Sequence, residues 1–207
     1  MTRRTLIASL IFCVSSLLLA ALLSLSSGRA SGSSNLLQNP GFEEGTDDWR
    51  VDRDTTQFNT VTEPVHSGQW AASLNKTDGV VGEIYFSQDV EGIIGDMPYA
   101  LSGWAYKNDP RFSYVKLRIE WKDAALQTVR DDESHILTED EDTYHLLCIP
   151  RECDGTGVRA PARAVKARIK CVAHIQEPNP ATPVFFDDLS FTFQGWRVYA
   201  PLVVKNH

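Results

Sequence analysis

The chain has 207 residues, with 20 Lys and Arg against 27 Asp and Glu, a formal charge of −7. That acidic balance tells against a nucleic-acid partner, which needs a cationic face to neutralise phosphate, and against docking on anionic lipid. Apolar residues at 43% and charged residues at 23% belong to a folded globule and exclude a disordered chain, and the length suits one domain.

Met1-Thr2-Arg3-Arg4 is cationic, the stretch to Leu25 carries no charge, and Ser26, Ser27, Gly28 and Ala30 are small. A cationic head, an apolar middle and a small-residue end make residues 1–30 a secretory signal, cut after Ala30, with an extracellular or cell-surface destination. About 20 apolar residues also suffice to cross a bilayer, so an uncleaved anchor is the alternative and the one route by which a membrane enters. Without residues 1–30 the balance becomes 17 against 27, a charge of −10. Residues 31–34 are a Ser/Gly spacer and residues 35–194 the folded domain.

From there the chain alternates. Runs at 84–90, 99–106, 115–121, 144–149, 165–171 and 184–193 read as strands. In the third, Val115, Leu117, Ile119 and Trp121 take one side and Lys116, Arg118 and Glu120 the other. In the fifth, Lys166, Arg168 and Lys170 face outward as a charged, exposed sheet surface. Asp78-Gly79, Gly92, Asn108-Asp109-Pro110, Asp154-Gly155 and Pro178-Asn179-Pro180 supply turns between the runs. No segment sustains a helical period, so the fold class is all-β, a two-sheet antiparallel sandwich. Trp49, Trp70 and Trp121 are expected in its core. The acidic stretches 131–133 and 139–142 lack the spaced pattern and turn glycine of a calcium loop and read as a solvated loop.

Beyond the signal the cysteines are Cys148, Cys153 and Cys171. Cys148 and Cys153 flank a four-residue turn that would bring them into bridging range, and a Cys148–Cys171 bridge is the alternative. Cys171 lies on the apolar side of its run, the place of a buried, inert thiol. No spacing suits zinc. Residues 195–207 form an apolar tail, read as an extra edge strand, a sorting signal or a contact for self-assembly.

Five motifs stand in order. Asn35-Leu36-Leu37-Gln38-Asn39-Pro40-Gly41-Phe42-Glu43 is followed by Trp49, and Val65-His66-Ser67-Gly68 comes with Ala71, Ala72 and Leu74. Ser87-Gln88-Asp89-Val90, then Tyr99-Ala100-Leu101-Ser102-Gly103-Trp104-Ala105, lead to Val184-Phe185-Phe186-Asp187-Asp188-Leu189-Ser190-Phe191. The series resembles the carbohydrate-binding module superfamily that joins families four, nine and twenty-two. That resemblance implies a galactose-binding-domain-like jelly roll, a structural calcium ion and a sugar-binding groove. Carried over, the calcium ligands are Glu43 and Asp187 with the Gly41 carbonyl, and Asp188 is the alternative to its neighbour. A hard dication with oxygen ligands from both ends of the chain would pin the first strand to the last.

Sugars need aromatic platforms and polar partners for their hydroxyls. Period two sets Trp104 and Tyr106 opposite in sense to Tyr99 and Leu101, so with the latter pair in the core the former face outward. Arg118 and Glu120 turn away from their core side, as do Glu83 and Tyr85. Trp104, Tyr106, Tyr85, Glu83, Arg118 and Glu120 are therefore expected together on one outer sheet face as a glycan groove. The function expected is secreted, non-catalytic binding of an extracellular polysaccharide or cell-wall glycan. One alternative is a structural or adhesive surface protein that keeps the fold without sugar binding. The other is a small polysaccharide hydrolase or lyase using Glu83 and Glu120, although no nucleophile elbow, His-Glu-x-x-His motif or phosphate loop is present.

Overall fold

A computed structural model describes residues 34–53 and 55–195. The signal segment, most of the spacer and tail residues 196–207 lie outside the described residues, and with them the readings placed there. All six alternating runs form strands, because residues with one apolar and one solvated face in strict alternation fit a sheet that buries a single side. In chain order the strands are β1 (Arg50–Val51), β2 (Gln57–Val61), β3 (Ala71–Asn75), β4 (Gly82–Glu91), β5 (Pro98–Lys107), β6 (Phe112–Lys122), β7 (Thr128–Glu133), β8 (Glu141–Ile149), β9 (Val158–Arg159), β10 (Lys166–Ile175) and β11 (Val184–Phe193). The described residues contain no α-helix.

Two antiparallel sheets result. The first has the order β1-β4-β10-β6-β7, the second β2-β3-β11-β5-β8, with β9 extending the edge beside β5. In the first, β10 lies between β4 and β6, so Arg168 stands opposite both Asp89 and Glu120, and Lys170 opposite Ser87 and Arg118. In the second, Trp104 of β5 stands between Asp187 of β11 and Leu146 of β8, and Tyr106 between Phe185 and Tyr144.

The inner faces meet in one core. Trp121 from the first sheet packs against Tyr99 and Phe191 from the second, with centroids 5.7 and 6.3 Å away. At the other end Phe86 gathers Phe42, Trp49, Phe58 and Phe186 at 4.5–5.7 Å. The opening segment closes on the last strand: Leu36 N–H donates to the Phe191 carbonyl at 2.8 Å, and Asn35 Oδ1 accepts the Phe191 N–H at 2.9 Å. These bonds tie the two ends of the domain together.

Trp49 and Trp121 are core residues as expected, but Trp70 is 36% exposed. It sits just before β3, where the chain is still entering the sheet, so no strand parity turns its ring inward. The acidic stretch 131–133 is also corrected: it belongs to strand β7, not to a loop, where Glu133 stands opposite Arg118 of β6 and pairs with it, and Asp131 stands opposite Glu120. Cys148 and Cys153 form the disulfide with Cα atoms 5.2 Å apart, and Cys171 is free, buried, and its thiol pushed up by burial.

Candidate functional site

The six residues expected in one groove divide between the sheets. Glu83, Tyr85, Arg118 and Glu120 face outward from β4 and β6 in the first sheet, while Trp104 and Tyr106 face outward from β5 in the second. The two sets lie on opposite sides of the sandwich. Alternation fixes which way a side chain turns within its own strand, yet says nothing about which sheet that strand joins.

On the first sheet the polar groups satisfy one another. Glu83 accepts from Arg118 at 3.0 and 3.1 Å and from the Tyr114 hydroxyl at 2.9 Å, and Lys116 Nζ lies 3.0 Å from it. Glu133 completes the square with Lys116 at 3.0 Å and Arg118 at 2.7 Å. Glu120 takes Lys170 at 3.0 Å, Lys122 at 3.3 Å and the Thr128 hydroxyl at 2.7 Å. Tyr85 lies under the Lys170 ammonium, 4.4 Å from ring centre to nitrogen. Burial alone would raise the carboxyl of Glu83, but the bonds from Lys116 and Tyr114 and the charge of Arg118 leave it below its usual range. This face is an ion lattice in which Glu83, Arg118, Glu120 and Tyr85 already hold partners, and the structure does not bring them together with Trp104 and Tyr106 as the sequence reading expects.

The outer face of the second sheet has the other character. Trp104 and Tyr106 project from it as expected, and three unexpected aromatics join them. His66, on the loop before β3, stacks on Trp104 with centroids 4.0 Å apart and planes 15° apart. Tyr144 of β8 lies 5.6 Å from His66 and 5.5 Å from Tyr106, and Phe185 of β11 packs edge-on to Tyr106 at 5.5 Å. An open groove of about 440 Å³ runs among Pro64, Val65, His66, Trp104, Tyr106, Asp142, Thr143 and Tyr144.

Its polar atoms form short chains. The Tyr106 hydroxyl donates to Asp142 Oδ1 at 2.9 Å, and Asn108 Nδ2 donates to that same oxygen and to the Tyr106 oxygen, both at 3.0 Å. The Tyr144 hydroxyl donates to the Pro64 carbonyl at 2.9 Å. The bonds from Asn108 and Tyr106 hold the Asp142 carboxyl below its usual range, while burial and then Asp142 push the Tyr106 phenol up. Burial, with the charges of Asp187 and Asp188 behind it, raises Tyr144 as well. Tyr144 was legible in principle, since Leu147 and Ile149 mark the core side of β8 and put 144 and 146 on the other. His66 was not, because a loop residue has no parity.

The expected calcium ligands meet around the loop that carries His66. Asp187, fully buried, accepts the N–H groups of His66 and Ser67 on Oδ2 at 2.9 and 3.1 Å and that of Asp188 on Oδ1 at 2.8 Å. Burial raises its carboxyl, against the pull of those amides. Asp188 takes His66 Nδ1 at 2.6 Å and the Ser67 hydroxyl at 2.9 Å, and Glu43 Oε1 takes the N–H groups of Gln69 and Trp70 at 2.9 and 3.3 Å. A Cβ added at Gly68 would stand 2.1 Å from Glu43 Oε1, and one at Gly41 3.8 Å from Asp188 Oδ1, so bare backbone lies against both carboxylates. Gly68 also has φ +69°, a conformation in which glycine carries no side-chain penalty. The candidate donors are oxygens from two separated segments, 41–43 and 187–188, which suits a hard cation. No three Asp, Glu, His or Cys side chains among the described residues are grouped to hold an ion by themselves, so carbonyls such as that of Gly41 would have to contribute.

No family model and no curated protein matches the chain. Solved structures do. A xylan-binding domain of carbohydrate-binding module family 22 superposes with a TM-score of 0.59 at 12% identity, over 80% of this chain and 99% of that one. The family 22 xylan-binding domain from Paenibacillus barcinonensis gives 0.57 at 15% identity, over 79% and 97%. The enzymatically active domain of tailspike protein 4 from bacteriophage CBA120 gives 0.59 at 14% identity over 77% of this chain, which spans only 21% of that protein's length. At such identities the likeness concerns architecture, and the architecture is the two-sheet jelly roll of the carbohydrate-binding modules.

Proposed function

We propose that the domain is a secreted, non-catalytic binder of an extracellular polysaccharide or cell-wall glycan, and that the glycan lies on the outer face of the second sheet. The observation that carries this is the half-buried aromatic row formed by Trp104, Tyr106 and Tyr144 along an open groove, with His66 stacked on Trp104 and Asp142 and Asn108 at the flank. Apolar ring faces receive the C–H faces of sugars, and fixed polar groups at the rim orient them. Two of the structural neighbours are named as xylan-binding.

The non-catalytic reading is supported by β10 standing between the strands that carry Glu83 and Glu120, and by the cations that pair with both carboxylates. The test of binding is affinity electrophoresis of the full chain in a panel of soluble polysaccharides that includes xylan. Tyr106→Ala is expected to weaken the retained interaction by about tenfold, the worth of one good aromatic platform, with the unfolding midpoint little changed. Retention indifferent to both Tyr106→Ala and Trp104→Ala would reject this face.

We also propose a structural calcium ion beside the loop of residues 66–70, with Glu43, the Gly41 carbonyl and the Asp187–Asp188 pair as its oxygen donors. Bound there, the ion would supply charge compensation to the carboxylates of Glu43, Asp187 and Asp188, whose partners are otherwise backbone amides, the Ser67 hydroxyl and His66. The expected result is a melting temperature that falls in chelator, returns with added calcium, and loses that response in Glu43→Ala. An identical melt with and without chelator would remove the ion.

A further inference from the structure

The groove holds a carboxylate and no fixed cation, and most of its side-chain donors are already committed. Each hydrogen a ring hydroxyl or amide could offer there is already given away: Tyr106 to Asp142, Tyr144 to the Pro64 carbonyl, and both Asn108 amide hydrogens to Tyr106 and Asp142. His66 has Nδ1 on Asp188, leaving its Nε2, the Thr143 hydroxyl and the Trp104 indole N–H as the side-chain groups not yet committed. The Asp142 carboxylate takes both its bonds on Oδ1, and no described residue occupies Oδ2. Neither Lys nor Arg lines the groove. Lys107, next along β5, turns inward, is 1% exposed, and spends its ammonium on the Thr138 carbonyl and Asp140. The outward cations of β6 and β10 are on the opposite face, matched to Glu83, Asp89, Glu91, Glu120 and Glu133.

An uncharged polyol needs donors and acceptors from its site in similar number, and a uronate or sulfate needs donors above all. An ammonium is the reverse, with three hydrogens to give and no lone pair to satisfy. It is drawn both to a carboxylate and to the face of an aromatic ring. We propose that the groove selects glycans that carry free, protonated amino groups, received by Asp142 Oδ2 and the neighbouring Tyr106 ring. This selection rests on the reading of the groove as a sugar site and adds to it the class of sugar.

The test compares glucosamine oligosaccharides with their N-acetylated counterparts of equal length, by calorimetric titration of the full chain at low ionic strength and below the pKa of the sugar amine. The amino form is expected to bind about tenfold more tightly, a preference that shrinks with added salt and disappears as the pH is raised past that pKa. Asp142→Asn, which keeps the side chain's shape, is expected to abolish most of the preference. The pH series on the unsubstituted protein gives the same answer should that variant fold poorly. Equal or tighter binding of the N-acetylated form, or a preference untouched in Asp142→Asn, overturns the proposal while leaving a sugar site in place. Failure of both oligosaccharides and of xylan to bind overturns the sugar reading and this one with it.

Discussion

Trp121→Ala is expected to lower the stability of the domain by about 3–5 kcal/mol, the range for emptying the site of a large buried aromatic side chain. Its ring is fully buried and is the first sheet's contribution to the cluster with Tyr99 and Phe191 of the second. Those partners lie on β5 and β11, strands hydrogen-bonded to each other, so they cannot follow a shrinking neighbour without leaving their own ladder. The indole nitrogen also donates to Asp132 Oδ2 at 2.6 Å, and Asp132 keeps Arg130 at 2.6 Å after the substitution, so no carboxylate is stranded. Packing therefore dominates the loss. Trp121→Phe, which restores most of the ring volume without the N–H, is expected to recover more than half of it. Denaturant unfolding measures both, and a Trp121→Ala variant within about 1 kcal/mol of the parent would mean that the sheets are not held together at this point.

Strand parity was the most legible feature of the sequence. The runs around Tyr99, Leu117 and Ile169 turn the expected side chains inward, and the outward sense of Trp104 and Tyr106 follows from the same rule. Partnership between strands was the feature that parity left open, and the groove was assembled in error from two opposite faces. A second regularity was present and carries the missing information. Outward residues on β4, β6 and β10 are predominantly ions of both signs, whereas those on β5 and β11 are mostly small or aromatic, with Asp187 and Asp188 the acids among them. Opposite charges stabilise adjacent strands as cross-strand pairs, so ion-bearing strands belong beside one another. Sorted this way, β4, β10 and β6 fall into one sheet and the aromatic strands into the other. The loop carrying His66 stays beyond any such rule, because its course depends on amides donated to Asp187, 121 residues away for His66 itself. The local disulfide, by contrast, spans five residues and needed no knowledge of topology.

The same lattice makes a prediction about acid. Burial pushes the Glu120 carboxyl up, but the Thr128 hydroxyl, the Lys170 ammonium and the charge of Lys122 outweigh it and bring the group from 4.5 down to about 2. A carboxyl with a depressed folded-state pKa stabilises the fold above its unfolded value and loses that contribution as pH falls through the folded one. The window for Glu120 therefore runs from 4.5 down to about 2. Taken without screening the gap corresponds to roughly 3 kcal/mol, and partial solvent access brings the expected share to about 1–2 kcal/mol. Glu83, Glu133 and Asp89 are depressed by their own cations and act in the same direction. Asp131 acts against them: burial and the nearby Glu120 charge raise it, so its protonation relieves the fold slightly on acidification. Glu120→Gln removes the charge while Lys170 and Lys122 remain at a largely buried position, and an uncompensated cation there is costly. The variant is expected to be less stable than the parent by about 1–2 kcal/mol at neutral pH, with the difference closing toward zero near pH ~2 as the parent's own carboxyl takes up its proton. Urea titrations of both proteins across that range measure the gap. A gap that stays constant with pH would assign the loss to the shape of the residue, and the cations of β6 and β10 would then owe their alignment to packing instead of charge.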